Sequence, residues 1–492
     1  MTFRYFALLP LLAALPALAQ EAPAGAAPNH QNAQLALSFE RVKFPAGDKA
    51  GLIGVNYLLE VAPNVYLGPA AYGTVTGRRG GFFTAGGEAN WHWPLVSDLE
   101  LVTGLYVGGG GGSPATVGGG LMLRPHVDVM WKLNGARFGV TASQVRFPNG
   151  FIRSNQIGVQ LAADSTFSWY GAEHAGQTVQ SDARSGVGID RVRAIAGAYK
   201  PKKGLVNTNG TPTAATIAYA GSRMERFLTP NLYWGVEASG AASGNQAGYA
   251  EFLGTLGAET ALADDALTLG ARLALGMGGG WLPVGGGQLA KVSGYASAHL
   301  SRDWFLSLEG GYATAPGGTF RASFGALSLG LDLDHPYAPG SQARVVENEW
   351  VMGSQHYLRA ARQNGSKPSL DALTFRLNRY LGENVYLTGQ AHSAYLGNAG
   401  GYSVGLLGAG VRVKNLPLGL SAGAELLAGA AGGGNVDSSG GAVVQPTVYL
   451  GLPLNADFGL RLSVGQMKSL KGKLNTPVID LAATYNFGTA GR

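Results

Sequence analysis

The 492-residue chain contains no cysteine, so neither disulfides nor thiolate metal ligation can hold it together. Charged residues amount to only 13%, too few to clothe a soluble sandwich of this size. After the first 20 residues there is no apolar run approaching the ~18 residues that a membrane-spanning helix needs, which excludes helical spans. Yet the mean hydropathy is +0.07. A chain so poor in charge reaches that balance only if apolar and small polar residues are finely interleaved.

What the chain does have is glycine, 78 residues of it, and repetition. The segment NVYLGPAAYGTVTGRRGGFFTAGGEANW (64–91) is echoed by NLYWGVEASGAASGNQAGYAEFLGTLGAET (231–260) and by NVYLTGQAHSAYLGNAGGYSVGLLGAGVRV (384–413). Each copy then reaches a glycine cluster, within 105–127, 274–294 and 426–448. The period of about 160 residues is far beyond that of solenoids and propellers, so each repeat is a multi-strand module. The N-terminus carries Arg4, an apolar stretch and Ala17-Leu18-Ala19, the order of an export signal cleaved after Ala19.

The interleaving has period two. In 458–467, Phe458, Leu460, Leu462 and Val464 alternate with Gly459, Arg461, Ser463 and Gly465, and 121–131 and 418–429 behave alike. The first repeat reads as eight strands, approximately 34–44, 51–61, 64–76, 81–93, 98–108, 119–131, 136–147 and 156–167, giving about 24 in all. Connections after even strands are short, as at Ala62-Pro63-Asn64, Ala263-Asp264-Asp265 and Leu454-Asn455-Ala456-Asp457. Those after odd strands include the glycine clusters and 200–212, and are longer. Short periplasmic turns and long extracellular loops alternate in this way in outer-membrane barrels.

From residue 34 onward the chain resembles bacterial outer-membrane β-barrel proteins. Its last strand, VIDLAATYNF (478–487), is similar to the aromatic C-terminal insertion signal of that class, with Tyr485 and Phe487 in the signal positions, although five residues follow. The resemblance implies an all-β transmembrane antiparallel barrel in the outer membrane, with lipid, lipopolysaccharide and the barrel-assembly machinery as partners. The domain reading is a signal peptide (1–19), a short periplasmic segment (20–33), barrel repeats at 34–170, 186–334 and 344–487, and a tail at 488–492.

Two architectures fit: one barrel of about 24 strands, or three tandem eight-stranded barrels. The single insertion signal and the usual outcome of one barrel per chain favour the first, which is the expected fold, with the tandem form as its alternative. The low charge, the lack of a plug domain and the connectors 168–186 and 334–344 favour the second. Eight strands enclose only side chains, whereas 16 or more leave an aqueous lumen. Lumen-lining candidates are Arg191, Arg193, Arg223, Arg226, Arg376 and Arg379, with Glu88, Arg124, His126, Asp128, Glu425 and Arg461. Clustered arginines facing water would favour anions. Glu88, His92, Arg124, His126 and Asp128 read as a buried ion network rather than a metal or acid–base centre, and no short motif pins a nucleophile to a base. The expectation is a non-enzymatic passive pore or export conduit with weak anion preference, without cofactor, metal or nucleic acid, open to a periplasmic plug or secretion partner. The alternative is a non-conducting structural or surface-interaction protein of tandem small barrels.

Overall fold

The computed structural model describes residues 27–112, 115–181, 184–262, 266–333 and 341–491. The export signal, the Ala263-Asp264-Asp265 turn and the connector 334–340 lie outside the described residues.

The first repeat forms β1 (Asn29–Lys43), β2 (Lys49–Ala62), β3 (Val65–Thr76), β4 (Phe83–Val96), β5 (Leu99–Gly111), β6 (Met122–Leu133), β7 (Ala136–Arg146) and β8 (Arg153–Trp169). A short β9 (Thr178–Ser181) follows. The second repeat comprises β10 (Arg191–Pro201), β11 (Ile217–Thr229), β12 (Leu232–Ala241), β13 (Ala250–Leu262), β14 (Leu267–Gly279), β15 (Gln288–His299), β16 (Trp304–Thr314) and β17 (Arg321–Asp332). The third comprises β18 (Ser341–Tyr357), β19 (Leu370–Tyr380), β20 (Val385–Leu396), β21 (Ser403–Val413), β22 (Ser421–Gly432), β23 (Ala442–Pro453), β24 (Phe458–Ser469) and β25 (Asn475–Gly491).

Closure decides between the two architectures. β8 pairs back onto β1 (Phe39 opposite Val159), β17 onto β10 (Ile195 opposite Ser328) and β25 onto β18 (Val351 opposite Thr484). The 24 barrel strands therefore form three closed antiparallel rings of eight, the tandem alternative, and not one wide ring. β9 adds to the first residues of β18 (Thr178 opposite Arg344) and ties the first connector to the third barrel.

Alternation and loop parity hold. Even-numbered connections in each repeat lie at one end, the turn end. Asn134 and Gly135 both take positive φ there (47° and 81°), the requirement of a two-residue hairpin turn. The glycine clusters lie at the opposite, loop end, where Arg79 donates to Asp48 at 2.7 and 2.9 Å and holds that carboxyl below its usual range. One segment differs from its sequence reading: 418–420 is a turn, with Leu418 at φ 66° and 91% exposed, and β22 begins at Ser421. Pro417 has no N–H to give a ladder, which delays the strand.

Outward positions are apolar along the strands, for example Leu161, Leu273, Leu308 and Leu426, all exposed. Trp91, Trp93, Trp131 and Phe138 make an aromatic girdle at the turn end of the first barrel, Trp91 and Trp93 stacking at 4.6 Å. Closed rings with an apolar exterior, an aromatic girdle and polar interiors are the architecture of an outer-membrane β-barrel protein. Leu308→Arg, near the middle of β16, should accordingly cost about 2–4 kcal/mol in a refolding titration in lipid vesicles. Tolerance within experimental error would mean that this face does not meet hydrocarbon.

Candidate functional site

Each lumen is crossed by ion pairs that the alternation of the strands points inward. In the first barrel Arg124 (β6) donates twice to Glu40 (β1), both at 3.0 Å, and Ser143 (β7) adds a 2.7 Å hydrogen bond to the same carboxylate. Glu88 (β4) accepts from Asn56 at 2.7 Å and Tyr72 at 2.6 Å, and lies 3.6 Å from His126, which pairs with Asp128 at 3.0 Å. In the second barrel Glu237 (β12) is the hub. It is 2.8 Å from Arg223, 2.5 Å from Arg272 and 3.2 Å from Lys291. Arg223 and Arg272 also share Glu309, Lys291 reaches Glu251 at 2.5 Å, and Arg193 donates to Glu225 at 3.0 Å. The third barrel joins Arg376 to Asp480 at 2.7 Å and Arg461 to Glu425 at 2.5 Å, with Tyr386 donating to Glu425 at 2.8 Å.

Arg124, Arg193, Arg376 and Arg461 are each under 2% exposed. Above these networks, toward the loop end, side chains from strands and loops fill each barrel with an apolar plug. Phe44, Phe82, Val117 and Phe147 do so in the first, Tyr249, Leu282, Val284 and Phe320 in the second, and Tyr402, Val436, Met467 and Leu474 in the third. Arg362 lies in the loops of the third barrel, where it donates to the carbonyls of Gly434 (3.0 Å) and Gly397 (2.9 Å); burial lowers its pKa.

Of the sequence candidates, Glu88, Arg124, His126, Asp128, Arg191, Arg193, Arg223, Arg376, Glu425 and Arg461 face a lumen and are buried. Arg226 and Arg379 do not. On β11 the odd positions Arg223 and Glu225 point inward, and on β19 the even positions Thr374, Arg376 and Asn378 do, so a step of three residues reverses the face. Arg379 donates to Thr489 at 3.2 Å on the outer side of its barrel. The inward arginines are not a bare positive ring either. Arg191 alone meets Asp332 at 2.7 Å and Glu259 at 3.0 Å. Sequence reasoning passed over Glu40, Glu225, Glu237, Glu309 and Asp480, the carboxylates that neutralise the candidates. Their signal was available, since each occupies the inward parity of its strand.

No family model matches the chain, and no curated protein does. Among solved structures it is similar to the outer membrane protein OpdK of Pseudomonas aeruginosa (13% identity, covering 93% of this chain and 99% of that one, TM-score 0.23). OpdQ of the same organism (10%, 94% and 98%, TM-score 0.22) and OccAB3 of Acinetobacter baumannii (9%, 94% and 99%, TM-score 0.22) are further examples. TM-scores this low do not establish a shared fold, so the architecture rests on the strand pairings themselves.

Those pairings leave a second feature, the junction between barrels. Tyr485 and Phe487 face outward on β25, but Phe487 is only 3% exposed. It packs against Phe167 of the first barrel at 5.4 Å and Trp350 of the third at 5.2 Å. At the loop end the glycine clusters lock the barrels together backbone to backbone. Gly80 N–H donates to Gly285 O (3.0 Å) between the first and second barrels, and Gly401 N–H to Gly110 O (3.0 Å) between the third and first. A Cβ on Gly432 would lie 2.0 Å from the nitrogen of Gly248, so the second and third barrels also approach as only glycine permits. Phe83 stacks on Phe252 at 3.9 Å beside these contacts. The three barrels thus stand around a common space of about 1700 Å³ lined by their outer faces.

Proposed function

We propose that this chain is a structural or surface-interaction protein of the outer membrane, three narrow barrels joined into one unit that does not conduct solutes. One observation carries the reading: every lumen is blocked twice, by fully buried arginine–carboxylate pairs and by an apolar plug beneath the loops. Eight strands enclose only enough space for such side chains. Moving a buried pair aside to admit an ion would expose uncompensated charge, at a cost of roughly 3–5 kcal/mol per pair broken. The glycine-locked loop ends present one continuous surface to the exterior, with Lys202 and Lys203 exposed on it, a setting that suits lipopolysaccharide phosphates.

Planar-bilayer recording of the refolded protein tests this, with insertion verified by heat-modifiable migration. Silence is expected at inserted protein. A stable ohmic step would sink the proposal and restore the pore. In that case a reversal potential across a salt gradient reads whether Arg191, Arg193 and Arg376 impose an anion preference.

A further inference from the structure

The space between the barrels is a different environment from the lumens. Its walls are mostly the outward faces of strands from all three repeats, with Val55 and Ala71 from the first, Ala194 and Ala220 from the second, and Leu373 and Leu407 from the third. These belong to the same alternating outer face that elsewhere carries exposed leucines toward the surroundings. Small side chains predominate on it: a Cβ at Gly405 would meet nothing within 4 Å, and Ala391, its cross-strand partner, is exposed.

A volume of about 1700 Å³ cannot stay empty as small apolar cavities do. An apolar cavity of ~150 Å³ already takes up benzene, and the walls of a void forfeit their dispersion contacts. Water is a poor filler, because it needs two to four polar partners per molecule and these walls offer few. We propose that the room holds the acyl chains of phospholipid, retained as a built-in lipid site rather than exchanged as bulk bilayer. Relative to bulk lipid the gain comes from confinement against three rigid walls. The loop end is sealed by the contacts Gly80–Gly285, Gly110–Gly401 and Gly248–Gly432, leaving no space there for a headgroup. The chains therefore enter from the turn end, and the lipid is that of the periplasmic leaflet rather than lipopolysaccharide. The guanidinium of Arg379 lines that end of the room and sets a cation where a phosphodiester would lie.

The inference rests on the membrane reading above, and the test separates the two. The full chain is purified from outer membranes, exchanged into a second detergent and analysed by native mass spectrometry. Lipid extraction identifies what is retained. Wild type should carry phospholipid that survives exchange. The double variant Ala391→Phe with Gly405→Phe pushes two rings into the room from one wall and should retain clearly less of that lipid while keeping heat-modifiable migration. If the double variant misfolds, Ala220→Phe on the opposite wall serves in its place. Inserted wild type that retains no lipid, only detergent, only lipopolysaccharide, or as much phospholipid in the filled variants would overturn the site and leave the membrane reading standing. Failure of wild type to fractionate with the outer membrane would remove both.

Discussion

Glu237→Gln should destabilise the second barrel by about 3–5 kcal/mol, the largest effect expected of a single side chain here. The carboxylate is 3% exposed and lies within 3.2 Å of Arg223, Arg272 and Lys291. The amide keeps the shape and removes the charge, so three buried cations are left to share Glu225, Glu251 and Glu309. Pairing the change with Lys291→Met removes one surplus cation and should recover part of the loss, a coupling that a double-mutant cycle reads directly. The control is Glu173→Gln, whose partner His174 sits in an exposed pair, where a change within half a kcal/mol is expected. Urea titration of the refolded protein in vesicles supplies the numbers. An effect at Glu237 no larger than at Glu173 would mean that water screens the network, and the lumen would then have to be regarded as wet.

Deleting residues 475–492 should abolish the third barrel and leave the other two closed. β25 pairs along its length with β24 on one side and β18 on the other, so its loss exposes two strand edges at once. Each unpaired backbone group in hydrocarbon costs several kcal/mol, and a row of them exceeds the ~5–15 kcal/mol by which a whole domain is stable. The first and second barrels keep their own closing strands, β8 and β17. Proteolysis of the truncated, refolded protein should therefore yield a protected fragment spanning roughly 29–332, where wild type is protected through β25. Protection of β18–β24 in the truncated chain would show that β25 is not the closing strand. Loss of all three barrels together would show that Phe487, seated between Phe167 and Trp350, is a condition for the assembly of the whole unit.

Sequence alone determined what depends on near neighbours. Period-two alternation is local, so strands, their inward and outward faces and the number of eight per repeat could be read from residues a few positions apart. Loop length and turn residues fixed which ends share a side. The face of Arg226 and Arg379 was legible in the same way, for parity alone separates them from Arg223 and Arg376. What β8 pairs with was not legible. Its candidate partners, β1 upstream and β10 downstream, are both amphipathic strands, and the choice between them is a hydrogen-bond register set across more than a hundred residues of chain. Only the tertiary structure made that choice. It closed each ring at the size at which Tyr72, Arg124, Arg223, Tyr249, Arg461 and their partners fill the interior, turning presumed pore-lining arginines into buried ion pairs. The glycine clusters likewise announced close packing but not against what. Their partners lie in other repeats, and backbone contact between Gly401 and Gly110 exists only once two separately closed barrels stand side by side.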